Sequence, residues 1–246
     1  MREVSQTVIN ALRLIECFQE KEEFGITELA GEIGIGKTAV ARLVSSLEMF
    51  GYLRQNPETK RYRLGLKFVY LSSLVQERKE LVNLVGPYLR ALSQEFQVTA
   101  HLAVYDKRGS LVADKVTAGP MVYMESKVGT VLPIHACATG KCLLAFGEER
   151  IWRNLLTKPL EKITDRTVTD PKLFEAALME IREQGYSLDD GESTVGLFCI
   201  SVPLLDHGGS VVAAISLSGQ EWFMTQNKEK VLERLFGVQK ELEMYL

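Results

Sequence analysis

The 246-residue sequence predicts an α+β fold in two parts, on three observations. Between Ile26 and Phe50, apolar residues recur at helical spacing in two short runs separated by Gly34 and Gly36. Just beyond, the β-prone triplets Tyr52-Leu53-Arg54 and Tyr62-Arg63-Leu64 flank a turn-rich run, Asn56-Pro57-Glu58-Thr59-Lys60. From residue 81 the pattern changes to apolar strands joined by hairpin signals and interleaved with helical stretches. The expected division is a winged helix-turn-helix over 1–65, a linker helix over 66–80, and an antiparallel sheet flanked by helices over 81–246.

Ser5 to Lys21 reads as a first helix with Ser5 as cap and Val8, Leu12 and Ile15 as its core face. Thr27 is the expected N-cap of the second helix, whose hydroxyl can accept from a first-turn amide. Leu29, Ala30 and Ile33 form that helix's buried face, and Gly34 suits the left-handed position that ends it. A third helix starts at Gly36 or Lys37 and buries Val40, Leu43, Val44 and Leu47. Lys37, Thr38, Ala41, Arg42 and Ser45 are left facing outward, the layout of a helix that offers short polar and basic side chains to the DNA major groove. Gly51 ends it, and the two triplets make a wing. Lys60, Arg61 and Arg63 are its DNA-facing basic groups, whereas Tyr52, Leu53, Tyr62 and Leu64 pack.

Leu66 to Lys79 carries apolar groups at helical spacing (Leu66, Val69, Tyr70, Leu74) and ends in the charged cluster Gln76 to Glu80. This is the linker helix, with a face able to pair with a second subunit. Leu81 to Phe96 is helical, broken or started by Gly86-Pro87. Thr99–Tyr105 and Ser110–Val116 are strands joined by Asp106-Lys107-Arg108-Gly109, and Val122–Ser126 is a further short strand. His135–Phe146 reads as a small-residue helix and Glu148–Leu156 as another. Asp170-Pro171 starts the next helix, with Leu173, Ala177, Leu178 and Ile181 as its face and Gly185 as its stop. Tyr186–Asp189 is an edge strand, Phe198–Leu205 and Ser210–Ser218 are apolar strands, and Lys228–Leu246 is a closing amphipathic helix.

Charge supports the same reading. Residues 1–35 hold 3 basic and 7 acidic groups, whereas residues 36–67 hold 7 basic and only 2 acidic. A basic island that begins at the proposed recognition helix is what phosphate contacts require. With 46% hydrophobic and 25% charged residues the composition is that of a soluble globular protein. Glu3, Asn10, Arg13 and Glu16 interrupt any apolar leader, and no uncharged run approaches the ~18 residues of a membrane span. Four cysteines give no disulfide framework, which points to a reducing cytoplasm.

Two rival chemistries are considered. Gly31 to Thr38 matches the phosphate-loop pattern G-x-x-x-x-G-K-[ST], but the residues before it have helical rather than strand character. A cysteine-dependent enzyme would need Cys137 and His135 to face each other with a third orienting group, which no residue supplies. Cys137 and Cys142, five apart on a helix, lie roughly 140° apart around its axis and cannot readily chelate one ion. No catalytic residue, metal or cofactor is therefore expected.

The winged helix, L-P-I-H-A-C-A-T-G-K-C-L-L-A (Leu132–Ala145), R-E-Q-G-Y-S-L-D-D (Arg182–Asp190), C-I-S-V-P-L-L-D (Cys199–Asp206) and V-V-A-A-I-S-L-S-G (Val211–Gly219) together resemble the IclR family of bacterial transcriptional regulators. The similarity runs nearly end to end and in the same order. It implies a DNA-binding winged helix, a linker helix and a GAF-like effector domain, assembled as a homodimer or homotetramer on double-stranded DNA. It also implies a small-molecule effector, usually an organic acid or aromatic metabolite, held by Asp189, Cys199, Ser216, Ser218 and the backbone around Ala138, Thr139 and Gly140. Gly36 stands where the family commonly has proline, Ala39 where it has threonine, and Cys137 and Cys142 where it has small hydroxyl or alanine types. The residues themselves make sense as a carboxylate site. Helix-start amides near Thr139-Gly140 donate to an anion, Ser216 and Ser218 share one strand face, and Cys199 adds a small polarisable wall.

Overall fold

The computed structural model describes residues 4–76, 80–119 and 126–246. The chain folds as two compact units, Met1–Lys79 and Glu80–Leu246. The first contains helices α1 (Gln6–Glu16), α2 (Ile26–Ile33) and α3 (Lys37–Met49), the hairpin of β1 (Leu53–Gln55) and β2 (Tyr62–Leu64), and helix α4 (Lys67–Gln76). Leu14, Phe18, Phe24, Leu29, Ile33, Val40, Val44, Leu53 and Tyr62 make its core. Each such aliphatic side chain removed from water is worth about 1.5–3 kcal/mol.

Local geometry corrects several expectations. On α1 the buried residue is Leu14, while Val8 and Leu12 are each 55% exposed and Ile15 is half-buried. A 3-10 turn over Cys17–Gln19 follows, and Phe18 meets Phe24 edge-on with ring centroids 5.3 Å apart. Thr27 does not cap α2. The N-cap is Gly25, and Glu28 closes the first turn by accepting the Gly25 amide at 2.8 Å. Gly34 ends α2 in the left-handed region at φ 72°, as a residue without Cβ does at no cost. In the hairpin Leu53 pairs with Leu64 and Gln55 with Tyr62, and Phe24 adds a two-bond bridge to Tyr62. Leu64 is 44% exposed and lies outside the core, contrary to the expected packing. Leu66, Val69 and Tyr70 at the start of α4 are exposed. The side chain of Leu74 and most of the charged cluster after Gln76 lie outside the described residues.

The second unit runs α5 (Glu80–Phe96), β3 (Thr99–Asp106), β4 (Gly109–Thr117), β5 (Val131–Leu132), α6 (Ala138–Phe146), α7 (Glu149–Leu155), α8 (Pro171–Gln184), β6 (Ser187–Asp190), β7 (Leu197–Leu205), β8 (Val211–Gln220), α9 (Glu221–Gln226) and α10 (Lys228–Leu242). Pro87 does not break α5. Val85, Leu89, Leu92 and Phe96 bury on both sides of it, and that packing offsets the one backbone bond a proline removes. Helix α6 begins at Ala138, three residues after the expected start, because Cys137 has extended backbone and caps it. Phe174 rather than Leu173 is buried on α8; Leu173 is 66% exposed. Helix α9 was not expected, and most of the strand expected from Val122 lies outside the described residues.

The sheet has the order β5-β4-β3-β8-β7-β6 with every neighbouring pair antiparallel, so β6 is an edge strand. Its two faces differ. Ala100, Leu102, Ile200, Val202, Ile215 and Leu217 pack with α5 and α10 in one apolar core. The alternate residues of the same strands face the other way, as the period of two requires. Among the described residues no helix is long and apolar enough to cross a membrane.

Candidate DNA interface and effector site

The first unit presents α3. Thr38, Ala41, Arg42 and Ser45 stand at i, i+3, i+4 and i+7, hence on one face. Lys37, Thr38, Arg42 and Ser45 are exposed and Ala41 is half-buried. Lys37 opens the helix, and the first turn holds no acidic residue. A cation there opposes the helix dipole, an arrangement that stabilises nothing within the chain but leaves amides and ammonium together for a phosphate. Gly31–Thr38 has a helix before it rather than a strand, so the phosphate-loop reading lacks its scaffold.

The wing is less free than the sequence implied. Lys60 sits exposed at the tip with φ 57°, and Arg63 is half-buried on β2. Arg61 forms an ion pair with Glu28 on α2 and donates to the Glu23 carbonyl at 3.2 Å. Glu28 also takes Lys21 at 2.9 Å, and Arg61, the Gly25 amide and Lys21, in that order, hold its carboxyl down to about 2. Arg54, exposed on β1, is a further basic group that was counted in the charge island but not assigned to the interface.

In the second unit strand register assembles two polar rows on the face opposite the apolar core. Thr117, Thr99, Ser218, Cys199 and Asp189 lie side by side across β4, β3, β8, β7 and β6. Two residues along, Lys115, His101, Ser216, Ser201 and Ser187 form the second row. Thr99, His101, Ser187, Asp189, Cys199, Ser201, Ser216 and Ser218 are all buried. Ser216 and Ser218 are thus neighbours on one face as expected, with Cys199 beside Ser218.

Helix α6 abuts this face. The Cys137 thiol accepts the Gly140 amide at 3.3 Å, and Ser187 donates to the Ala138 carbonyl at 2.6 Å. The Thr139 and Ser110 hydroxyls are 2.9 Å apart. As first-turn amides, Ala138 and Thr139 have no carbonyl of their own helix to meet. A Cβ on Gly140 would stand 2.3 Å from the Ile134 carbonyl oxygen, so only glycine allows the approach of the preceding loop. Asp189 is turned into its own loop. Its Oδ1 accepts the amides of Glu192 at 2.8 Å and Ser193 at 3.2 Å, and its Oδ2 takes the Ser193 hydroxyl. Burial raises its carboxyl above the usual carboxylate range despite these donors. Lys141 forms an ion pair with Glu192, and Glu192 Oε2 has no hydrogen-bond partner among the described residues.

His101, which sequence reasoning did not assign to the site, belongs to the second row and meets the Ser126 hydroxyl at 3.1 Å through Nε2. Burial, then Lys115, pushes it down to about 3, so the ring is neutral at ordinary pH. The signal for it was present: Thr99 and His101 alternate on β3 as Ser216 and Ser218 do on β8.

Burial raises the Cys137 and Cys199 thiols and pushes Cys142 up to about 12, which disfavours the thiolate at all three. His135 Nε2 meets the Glu161 carbonyl at 2.8 Å instead of Cys137. No cluster of metal-ligating residues occurs among the described residues.

Comparison with known proteins agrees with this architecture. Residues 7–57 match the IclR helix-turn-helix domain and residues 73–240 match the C-terminal domain of the bacterial transcriptional regulator IclR. The HTH-type transcriptional regulator XynR of Escherichia coli is 33% identical over 217 residues, covering 87% of this chain and 86% of its own. The transcriptional repressor IclR of the same organism is 31% identical, covering 87% and 80%. The structure of an IclR homologue from Microbacterium hydrocarbonoxydans in complex with 4-hydroxybenzoate superposes with a TM-score of 0.86 at 23% identity, covering 97% of this chain and 98% of that one. The chain belongs to the IclR family of DNA-binding transcriptional regulators.

Proposed function

We propose that this regulator's affinity for its operator is set by a small organic acid or similar metabolite bound on the polar face of the second unit's sheet. The observation that carries this reading is the pair of buried polar rows beneath the start of α6. Buried hydroxyls, a neutral imidazole and helix-start amides gathered in one place suit a small polar ligand. Ser216 and Ser218 donate to the effector carboxylate with the amides of Ala138 and Thr139, Gly140 brings the helix start close with its own amide held by Cys137, and Cys199 walls the site. Asp189, its oxygens engaged by residues 192 and 193, shapes the rim. The 4-hydroxybenzoate bound to the Microbacterium homologue supports an organic acid as ligand class.

On the DNA side Lys37, Thr38, Ala41, Arg42 and Ser45 meet the major groove, and Lys60 and Arg63 meet flanking phosphates. The working division is 1–65 for DNA, 66–80 as linker and 81–246 for effector. A homodimer or homotetramer fits an operator of paired half-sites, and the exposed Val8 and Leu12 on α1 offer a second copy an apolar stripe. The effector acts by binding the DNA-competent and DNA-incompetent states unequally. A thermal-shift series with small organic acids, 4-hydroxybenzoate included, tests the reading. At least one acid raises the melting temperature, and it also changes DNA affinity. Stabilisation with no change in DNA affinity would contradict effector control.

A further inference from the structure

The wing is docked on its own helix-turn-helix by carboxylates. Glu23, in the loop before α2, accepts the Asn56 side-chain amide at 2.9 Å and the Thr59 hydroxyl at 3.1 Å, and its carbonyl accepts Arg61. Asn56 Oδ1 in turn accepts the Glu58 amide at 3.0 Å, which shapes the turn, and the Thr59 hydroxyl accepts the Arg61 amide at 3.3 Å. Glu28 completes the set. One of its oxygens takes both the Gly25 amide that starts α2 and the Arg61 guanidinium, and the other takes Lys21. One guanidinium nitrogen of Arg61, Nη2, therefore bridges a carboxylate on α2 and a carbonyl in the preceding loop. Its charge is matched by Glu28, so releasing counterions from DNA falls to Lys60, Arg54 and Arg63.

We propose that Glu28, acting through Arg61, is a positioning residue for DNA binding. The strut fixes the hairpin against α2 and so aims Lys60 at a phosphate beside the groove that α3 enters, while Arg61 itself touches no DNA. The same three residues could be arranged otherwise, with Arg61 a phosphate contact that Glu28 competes for, and the two arrangements predict opposite signs. This inference rests on the wing reaching DNA, and Lys60→Ala tests that premise separately.

The experiment is a fluorescence-anisotropy titration of the full chain with a mixed-sequence DNA duplex over a series of salt concentrations. Glu28→Gln removes a negative charge yet keeps an oxygen for the Gly25 amide. Arg61→Lys keeps the positive charge but carries its nitrogen on a shorter stem, which draws it back from Glu28 and the Glu23 carbonyl that Nη2 joins. Each is expected to weaken binding by roughly 3- to 30-fold, the span for losing a member of one bonded network, with no loss of salt slope. Lys60→Ala is expected to lower that slope by about one, as a lost phosphate contact does. Tighter or unchanged binding by Glu28→Gln, or unchanged binding by Arg61→Lys, overturns the strut. An unchanged slope for Lys60→Ala removes the premise and the proposal with it.

Discussion

Lys141 on α6 and Glu192 in the β6–β7 turn form an ion pair whose side chains are only 7% and 10% exposed. The turn that Glu192 anchors is also the one that occupies Asp189, through the Glu192 and Ser193 amides. Thr164 and Thr167 hold the same turn from outside by donating to the carbonyls of Gly191 and Glu192. The start of α6 and the edge of the sheet are thereby fastened together at the proposed effector site.

Breaking that pair from one side strands a buried charge, which costs about 3–5 kcal/mol. Lys141→Met is therefore expected to destabilise the second unit by that order, and Lys141→Met with Glu192→Leu to recover most of it. Urea denaturation followed by tryptophan fluorescence reads this directly, because Trp152 and Trp222 both belong to that unit. A single variant as stable as the wild type would mean that the pair is not desolvated.

Gly140→Ala forces a methyl group against the Ile134 carbonyl. Overpacking of this kind costs about 1–3 kcal/mol, and here it also shifts the first turn of α6. The expected result is a lower melting temperature together with weaker effector binding. Full affinity for an acid that stabilises the wild type would place the ligand away from this turn.

Ser218 is buried between Thr99 and Cys199 on the face proposed to hold the effector. Ser218→Ala should weaken effector binding by roughly 10- to 150-fold in calorimetry, the loss of one hydrogen bond to a charged group being worth about 1.5–3 kcal/mol. DNA affinity without ligand should not move. Undiminished effector affinity would shift the site to other residues of the two rows.

His101 gives a pH signature. Its folded value of about 3 lies below the ordinary 6.5, so the unfolded chain takes up a proton in that interval and the native one does not. Its contribution is complete above pH 6.5 and declines as pH falls toward 3, with a slope of up to about 1.4 kcal/mol per unit. Asp189, raised by burial, works in the opposite direction above the usual carboxylate value. The difference between wild type and His101→Gln isolates the histidine, and its stability should fall less steeply between pH 6.5 and 4. Parallel curves would show that the native ring is protonated.

The helix-turn-helix was legible because its signals are local: Gly34 must take φ 72°, and Val40 and Val44 repeat at helical spacing. The β1–β2, β3–β4 and β7–β8 pairs were legible for the same reason, each closing on a short turn. What failed depends on distant partners. On α1 two apolar stripes satisfy one period, and only the positions of Phe24 and Leu29 decide that Leu14 is buried and Leu12 is not. Thr27 looked like a cap, but Glu28 won that role by closing on Gly25 while also holding Arg61. At the proposed effector site the family resemblance supplied Ser216, Ser218, Cys199 and Asp189. The register that sets Thr99 and His101 beside the two serines belongs to pairing across the sheet and cannot be read from either strand alone.

The most direct measurement of the central claim is a selection of duplexes from a randomised DNA pool by the wild type and by Arg42→Ala, followed by titration of the enriched sequence. Arg42 is exposed on the α3 face that carries Thr38, Ala41 and Ser45. The wild type should enrich one motif, and Arg42→Ala should bind it roughly 5- to 150-fold more weakly with relaxed preference at one base pair, the span of one lost base contact. Its response to a stabilising acid should be unchanged. Enrichment of the same motif at the same affinity by Arg42→Ala would contradict the assignment of α3 as the recognition helix.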